Sequence, residues 1–124
     1  MNGILIVNKE KDMTSRDVIN ILTKIFNTKH IGHTGTLDPI AEGVLVVCIG
    51  KSTKLCELLT SKYKEYIATI QLGIKTDTLD ITGTTLEKQQ VPKLTKEEIT
   101  KVLNTFKGKS IQEVPIYSAV KIKG

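Results

Sequence analysis

The 124-residue chain contains no tryptophan, and aromatic residues make up only 4% of it. A hydrophobic core must therefore be built from aliphatic side chains, and isoleucine and valine also favour β-strands because branching at Cβ packs well on a pleated surface. No apolar run reaches the roughly 18 residues of a membrane-spanning helix, which excludes a membrane span. The opening run GILIVNK is too short for a signal peptide, and we expect a cytoplasmic protein.

Cysteine is also scarce, and acidic residues are fewer than basic ones. Cys48 and Cys56 are the only cysteines, and in a chain of this type they are expected to be plain thiols. A structural zinc site needs four closely spaced ligands, and the sequence contains no such set, so no metal is expected. Lysine and arginine outnumber aspartate and glutamate by 18 to 13, which gives a net charge of +5 and favours phosphate-rich partners such as nucleic acid.

Hydrophobic periodicity predicts a mixture of strands and helices. Strands are predicted at residues 3–7, 44–49, 65–73 and 117–124, with 81–86 as a hairpin partner. Helices are predicted at 13–26, 51–62 and 94–108, the first and last of which open with a capping box. Their inward faces are predicted to be Val18, Ile21, Leu22 and Ile25; then Leu55, Leu58 and Leu59; then Ile99, Val102, Leu103 and Phe106. Strands joined by both hairpins and helices indicate a mixed α+β domain.

The stretch HIGHTGTLDPIAEGVLVVCIGKSTK, residues 30–54, contains the residues best suited to chemistry. A phosphate-binding P-loop needs a glycine five residues before the glycine of GKS, but that position is Leu45 in an apolar run, so Gly50 to Ser52 is predicted to join a strand to a helix. Asp38-Pro39 is by default a turn. Glycines around it permit close approach of a ligand, and apolar Leu37 and Ile40 are expected to desolvate its carboxylate partly. Asp38 is therefore a candidate nucleophile or base.

Other candidates are weaker when judged from the residues alone. His33 could act as a donor, a base or a phosphate contact, although a single histidine is more often structural. Tyr66 is more often a core or interface aromatic residue. A group of lysines forms either a solvated face or a phosphate track: Lys51, Lys54, Lys62 and Lys64.

The block GHTGTLDPIAEGVLVVCIGKSTK closely resembles the signature of the TruB-type tRNA pseudouridine synthases. The flanking segments GILIVNKEKDMTS, KEYIATIQLGIKTDTLDITG and FKGKSIQEVPIYSAVKIKG resemble the same family. The resemblance implies a pseudouridine synthase fold, with a largely antiparallel sheet and flanking helices. It also implies isomerisation of uridine 55 in the TΨC loop of tRNA, with the target base flipped out of its stack and without a metal or organic cofactor.

The resemblance also implies roles for individual residues. Asp38 matches the catalytic aspartate, which attacks either the ribose C1′ or the uracil C6, and the sequence leaves both open. Tyr66 matches the active-site tyrosine that stacks on the base and is a candidate for proton transfer, so the implied catalytic residues are Asp38 and Tyr66. Contacts to RNA or substrate are implied for His33, Lys54, Gly35, Thr36 and Lys9.

Two departures from the family bear on these expectations. The opening KEKDMTS lacks the proline and glycine of the family's KPxGxTS turn, so we expect the turn to survive with altered geometry. The family's later GTYIR segment, whose arginine is expected to pair with the aspartate, and its RNA-binding PUA domain are absent from this sequence. Residues 1–124 are therefore expected to be the N-terminal part of the catalytic domain, with little turnover alone. The alternative is a non-catalytic RNA-binding module or degenerate paralogue; the expected partner is the TΨC stem-loop, with no membrane and no obligatory protein partner.

Overall fold

A three-stranded antiparallel sheet covered on one face by a helix forms the first of two units, residues 1–66 and 67–124. The computed structural model describes residues 1–60 and 63–111. The sheet order is β1-β3-β2, with β1 at Gly3–Lys9, β2 at Ile31–His33 and β3 at Gly43–Ile49. The predicted central strand is thus confirmed, with β3 hydrogen-bonded on both sides.

Alternation along the strands separates a core face from an open face. Leu5 and Val7 pack toward helix α1, which spans Ser15–Phe26, whereas Ile4 and Ile6 remain exposed on the opposite face. The buried core cluster consists of residues from α1 and β3: Val18, Ile19, Leu22, Leu45, Val47 and Ile49. Burying these aliphatic side chains is the main source of stability for this unit.

The predicted inward face of α1 is wrong at two positions. Ile19 is buried in place of Ile21 and Ile25, which are 47% and 66% exposed. The buried stripe follows the spacing of Ser15, Val18, Ile19 and Leu22, so the two exposed isoleucines lie on its flank.

The start of α1 is fixed by the predicted capping box, which is confirmed. The Thr14 hydroxyl accepts from the Asp17 N–H at 3.0 Å, and the Asp17 carboxylate accepts from the Thr14 N–H at 2.9 Å. Hydrogen bonds from the Thr14 hydroxyl and N–H also lower the pKa of Asp17. The cap holds Ser15 in the first turn, where its side chain faces the loop between β2 and β3.

The GKS triplet is a strand-to-helix junction, as predicted. Strand β3 ends at Ile49, and a 3₁₀ helix at Gly50–Leu55 leads into α2 at Cys56–Leu59. Gly50 has a φ of 64°, and a Cβ there would overlap the first two residues of the chain, so only glycine fits.

The predicted inward face of this helical segment is wrong at two of its three leucines. Leu55 is 42% exposed and Leu58 is 81% exposed, and Leu59 alone is half-buried. The 3₁₀ helix has three residues per turn rather than 3.6, which rotates the apolar positions away from the stripe expected of a continuous α-helix.

The second unit contains a hairpin and a helix. Strands β4 (Ile74–Thr76) and β5 (Thr85–Lys88) pair antiparallel, so a hairpin is present. Its first strand follows the predicted 65–73 instead of lying within it, and Ile81 lies in the connecting turn. Helix α3 spans Lys96–Thr105 and begins with the predicted Thr95–Glu98 capping box. Together the two units confirm a mixed α+β fold with antiparallel sheets.

The predicted strands at 65–73 and 117–124 are not confirmed. Residues 65–73 have no strand assignment in the described part of the chain, although apolar residues at 70 and 72 line an open pocket of about 390 Å³ against α3. The α3 face of that pocket includes Ile99, Val102 and Leu103, whereas Phe106 is 74% exposed and lies outside it. The predicted strand at 117–124 lies outside the described residues. No helix within 1–60 and 63–111 is long and apolar enough to cross a membrane.

Candidate active site

Asp38 lies on the loop that connects β2 to β3. Its carbonyl accepts from the Ala41 N–H at 3.0 Å and closes a turn around Pro39, which confirms the default interpretation of Asp-Pro as a turn. The side chain is exposed, and within the described residues its carboxylate makes no hydrogen bond or ion pair. The expected partial desolvation of this carboxylate is wrong, because Leu37 turns toward the core instead of covering it.

The residue before Asp38 is fixed by the start of α1. The buried Ser15 hydroxyl accepts from the Leu37 N–H at 2.9 Å and donates to the Leu37 carbonyl at 3.2 Å. Leu37 also packs against the core cluster. One hydroxyl therefore satisfies both backbone groups of the residue that precedes the carboxylate.

The residue after Asp38 is fixed by the turn that follows β1. The Pro39 carbonyl accepts from the Asp12 N–H at 2.7 Å and from Lys9 Nζ at 3.4 Å. The loop is thus held on both sides of Asp38 by groups from α1 and from residues 9–12. The backbone on either side of Asp38 is therefore fixed, while its carboxylate stays exposed to solvent.

Lys9 is fully buried, at 0% exposure, at the end of β1. Its ammonium donates to three carbonyls: Met13 at 2.6 Å, Glu10 at 2.9 Å and Pro39 at 3.4 Å. A buried ammonium must be compensated by such bonds. The expected RNA contact for Lys9 does not fit this geometry, because its ammonium has no exposed surface and is already engaged by backbone oxygens.

The turn after β1 survives without the family's glycine, as expected. Asp12 occupies the glycine position of KPxGxTS and adopts a left-handed φ of 65°. Aspartate tolerates this conformation better than most side chains. The comparison of KEKDMTS with KPxGxTS could have indicated that residue 12 has left-handed backbone geometry, but not that its N–H supports the loop containing Asp38.

His33 ends β2 and is half-buried. Its Nδ1 lies 2.8 Å from the Gly35 carbonyl. Since a carbonyl can only accept, we assign the hydrogen to Nδ1, which leaves Nε2 for a ligand. His33 thus shapes the first turn of the same loop that presents Asp38.

The remaining predicted site residues are exposed but not joined to this network. Thr36 lies on the loop, Lys54 lies in the 3₁₀ helix, and Tyr66 lies in a segment without assigned secondary structure, with 65% of its surface exposed. Within residues 1–60 and 63–111, the side chains of these three residues make no hydrogen bond or ion pair. They are accessible to a ligand, and the structure brings none of them into hydrogen-bonding contact with Asp38.

Cys48 lies on β3 and Cys56 begins α2, and both are free thiols, as predicted. Burial raises the pKa of Cys48 to about 11, and a hydrogen bond with the Cys56 thiol adds to the shift. Cys48 is therefore a poor nucleophile. In the described part of the chain, no group of His, Cys, Asp and Glu side chains could hold a metal ion.

Comparison with known sequences places the loop in a family. Residues 23–124 match the sequence model described as TruB family pseudouridylate synthase, N-terminal domain. The chain belongs to this family. Named TruB relatives include tRNA pseudouridine synthase B of Clostridium tetani, 48% identical over 124 residues, and that of Bacillus subtilis, 48% identical over 125 residues. Each match covers the whole chain but only 43% and 40% of the respective relative, so the chain spans about two fifths of their length.

A solved structure extends the likeness of this TruB chain to three dimensions. A chain in the crystal structure of a Cbf5-Nop10-Gar1 complex superposes with a TM-score of 0.63 at 28% sequence identity. The match covers 96% of the present chain and 31% of the other. Cbf5 has a pseudouridine synthase fold, and the predicted fold class is confirmed.

Proposed function

We propose that this chain is the N-terminal part of the catalytic domain of a tRNA pseudouridine synthase that converts uridine 55 in the TΨC loop to pseudouridine. Family membership and the named relatives support the reaction class. The observation that carries the proposal is the exposed Asp38 carboxylate, whose neighbouring residues are fixed on one side by Ser15 and on the other by Lys9 and Asp12.

In the proposed reaction Asp38 is the nucleophile. The bond between uracil N1 and ribose C1′ breaks, the base turns while it stays bound, and a bond forms between C5 and C1′. The C5 proton leaves and N1 gains a proton, so atoms and charge balance. The carboxylate either displaces N1 from C1′ and is itself displaced when C5 attacks C1′, or it adds to C6 and is eliminated after C5 has bonded to C1′. Both routes need carboxylate oxygens that the substrate can reach.

The target uridine must leave its stack before a carboxylate can reach it. We propose that Tyr66 stacks on the extruded base, which its exposed ring permits, and that His33, Gly35, Thr36 and Lys54 contact the RNA. Lys9 is not among the proposed RNA contacts because it is buried. The net charge of +5 is consistent with a polyanionic partner.

The family arginine of GTYIR is expected to pair with Asp38, and this sequence does not contain it. We therefore propose that the 124-residue chain has little turnover alone. We also propose that the reaction needs no organic cofactor or metal and that it takes place in the cytoplasm. The DNA beyond codon 124 tests the domain assignment. An open frame that encodes GTYIR supports it, and a stop codon favours a non-catalytic RNA-binding module.

The reaction itself is tested with the intact gene product and a TΨC stem-loop that carries tritium at uracil C5. We expect tritium release to water in proportion to the pseudouridine formed. A matched stem-loop with cytidine at the target position is the control for release from other sites. Absence of release above that control, with RNA binding intact, would contradict the proposed activity.

A further inference from the structure

Among the four glycines of residues 30–54, Gly35 is the one for which neither the backbone angle nor a neighbouring atom requires glycine. Gly43 and Gly50 have φ angles of 121° and 64°, which favour glycine, and a Cβ at Gly32 would press on Cys56 Sγ at 3.3 Å. Gly35 has no such backbone angle, and the nearest atom to a Cβ built there lies at an ordinary contact distance of 3.6 Å. Alanine would therefore fit at this position in the free protein.

The atom nearest to that position is Nζ of Lys64. Lys64 is exposed and lies two residues before Tyr66. Its ammonium lies beside Gly35, on the loop that carries Asp38. It makes no ion pair with a carboxylate in the described part of the chain. An exposed ammonium that lies beside a loop and has no ion pair within the described residues is suited to an external anion.

The backbone at this point also has unused donors. The N–H groups of Gly35 and Thr36 make no hydrogen bond within the described residues, whereas the neighbouring Thr34 N–H is bonded to Val46 and the Leu37 N–H to Ser15. The loop from residue 34 to residue 37 contains no acidic side chain. The two free N–H groups lie beside the Lys64 ammonium, and Gly35 has no Cβ to block access to them. Together they form a small site that a phosphate can approach closely.

We propose that Lys64 and Gly35 form a subsite for a backbone phosphate of the substrate RNA, next to the loop that presents Asp38. This inference rests on the proposed function and adds Lys64 to its substrate-binding residues. Lys64 supplies the charge, and Gly35 supplies the space and an N–H donor. The subsite positions the RNA and has no part in bond making.

The test is binding of the full chain to a fluorescein-labelled TΨC stem-loop RNA, measured by fluorescence anisotropy over a range of KCl concentrations. Each phosphate contact contributes about 0.7–0.9 to the slope of log Kd against log salt. Lys64→Gln is expected to reduce that slope by about this amount, and Lys64→Arg to retain most of it. Lys24→Gln, which removes an exposed cation from the last turn of α1, is the matched control and should leave the slope unchanged.

Gly35→Ala tests the space above the loop. We expect it to weaken RNA binding while the unfolding temperature of the free protein stays unchanged, because the chain itself accommodates the methyl group. Parental slope and affinity in Lys64→Gln, parental affinity in Gly35→Ala, or no RNA binding by the parent chain at 50 mM KCl would each overturn the subsite. The tritium-release assay is independent of these results, so the subsite can fail while the proposed reaction stands.

Discussion

Replacing Lys9 by methionine tests whether the buried ammonium holds the loop around Asp38. Methionine has a similar length and fills the same space, so the change removes the charge and its donors with little loss of packing. The carbonyls of Glu10 and Met13 then lose the only hydrogen bonds they receive among the described residues. The Pro39 carbonyl keeps its bond from the Asp12 N–H.

The expected destabilisation follows from these bonds. A hydrogen bond to a charged group contributes about 1.5–3 kcal/mol. Water can replace part of this bonding at the carbonyls of the exposed Glu10 and the half-buried Met13. The lower cost of burying a thioether than an ammonium offsets part of this loss. We expect a net loss of about 2–4 kcal/mol in the free energy of unfolding, which at an m-value of about 2 kcal/mol/M lowers the urea midpoint by about 1–2 M.

Urea unfolding measures the global effect, and amide hydrogen exchange of Asp12 measures the local one. Lys24→Met is the matched control, and because Lys24 is exposed at a helix end we expect it to change the stability by less than about 1 kcal/mol. If Lys9→Met unfolds at the same urea concentration as the control and its Asp12 amide exchanges no faster, Lys9 does not hold the loop.

Two further predictions concern titratable groups. At pH 8 iodoacetamide should alkylate the half-buried Cys56 before Cys48, whose pKa is raised to about 11 by burial, and labelling of both at equal rates by mass spectrometry would contradict this. Hydrogen bonds from the Thr95 N–H and hydroxyl lower the pKa of Glu98 below its ordinary 4.5, so the capping box supports α3 above pH 4.5 and loses that support as the pH falls through the lowered pKa. An NMR titration of the Glu98 carboxyl carbon should show the lowered midpoint, and a midpoint at or above 4.5 would refute the cap.

Local patterns predicted most of the first unit because each depends on neighbours in sequence. The Thr14 capping box, the central strand and the GKS junction rest on spacing within a few residues, and all three are confirmed. The errors at Ile21, Ile25, Leu55 and Leu58 arise where several apolar residues compete for one face. Only tertiary packing decides which of them is buried.

The candidate site was predictable in part. The sequence indicated Asp38 as the residue to examine, through its loop and its family resemblance, but not how the loop is held. The bonds from Ser15 to Leu37 and from Lys9 to Pro39 join residues 22 and 30 positions apart. No local pattern records such pairs, and a lysine at a strand end is ordinarily exposed. Sequence reasoning therefore assigned Lys9 to the RNA instead of to the loop.

The most direct test of the central claim is the rate of tritium release by the intact gene product with Asp38→Asn, measured in a single turnover with RNA in excess of its Kd. Asp12→Asn is the matched control, because asparagine also tolerates its left-handed backbone and keeps the N–H that supports Pro39. We predict that Asp38→Asn binds the stem-loop as the parent does but releases no tritium, while Asp12→Asn retains activity. Release by Asp38→Asn at the parental rate would show that Asp38 is not the nucleophile.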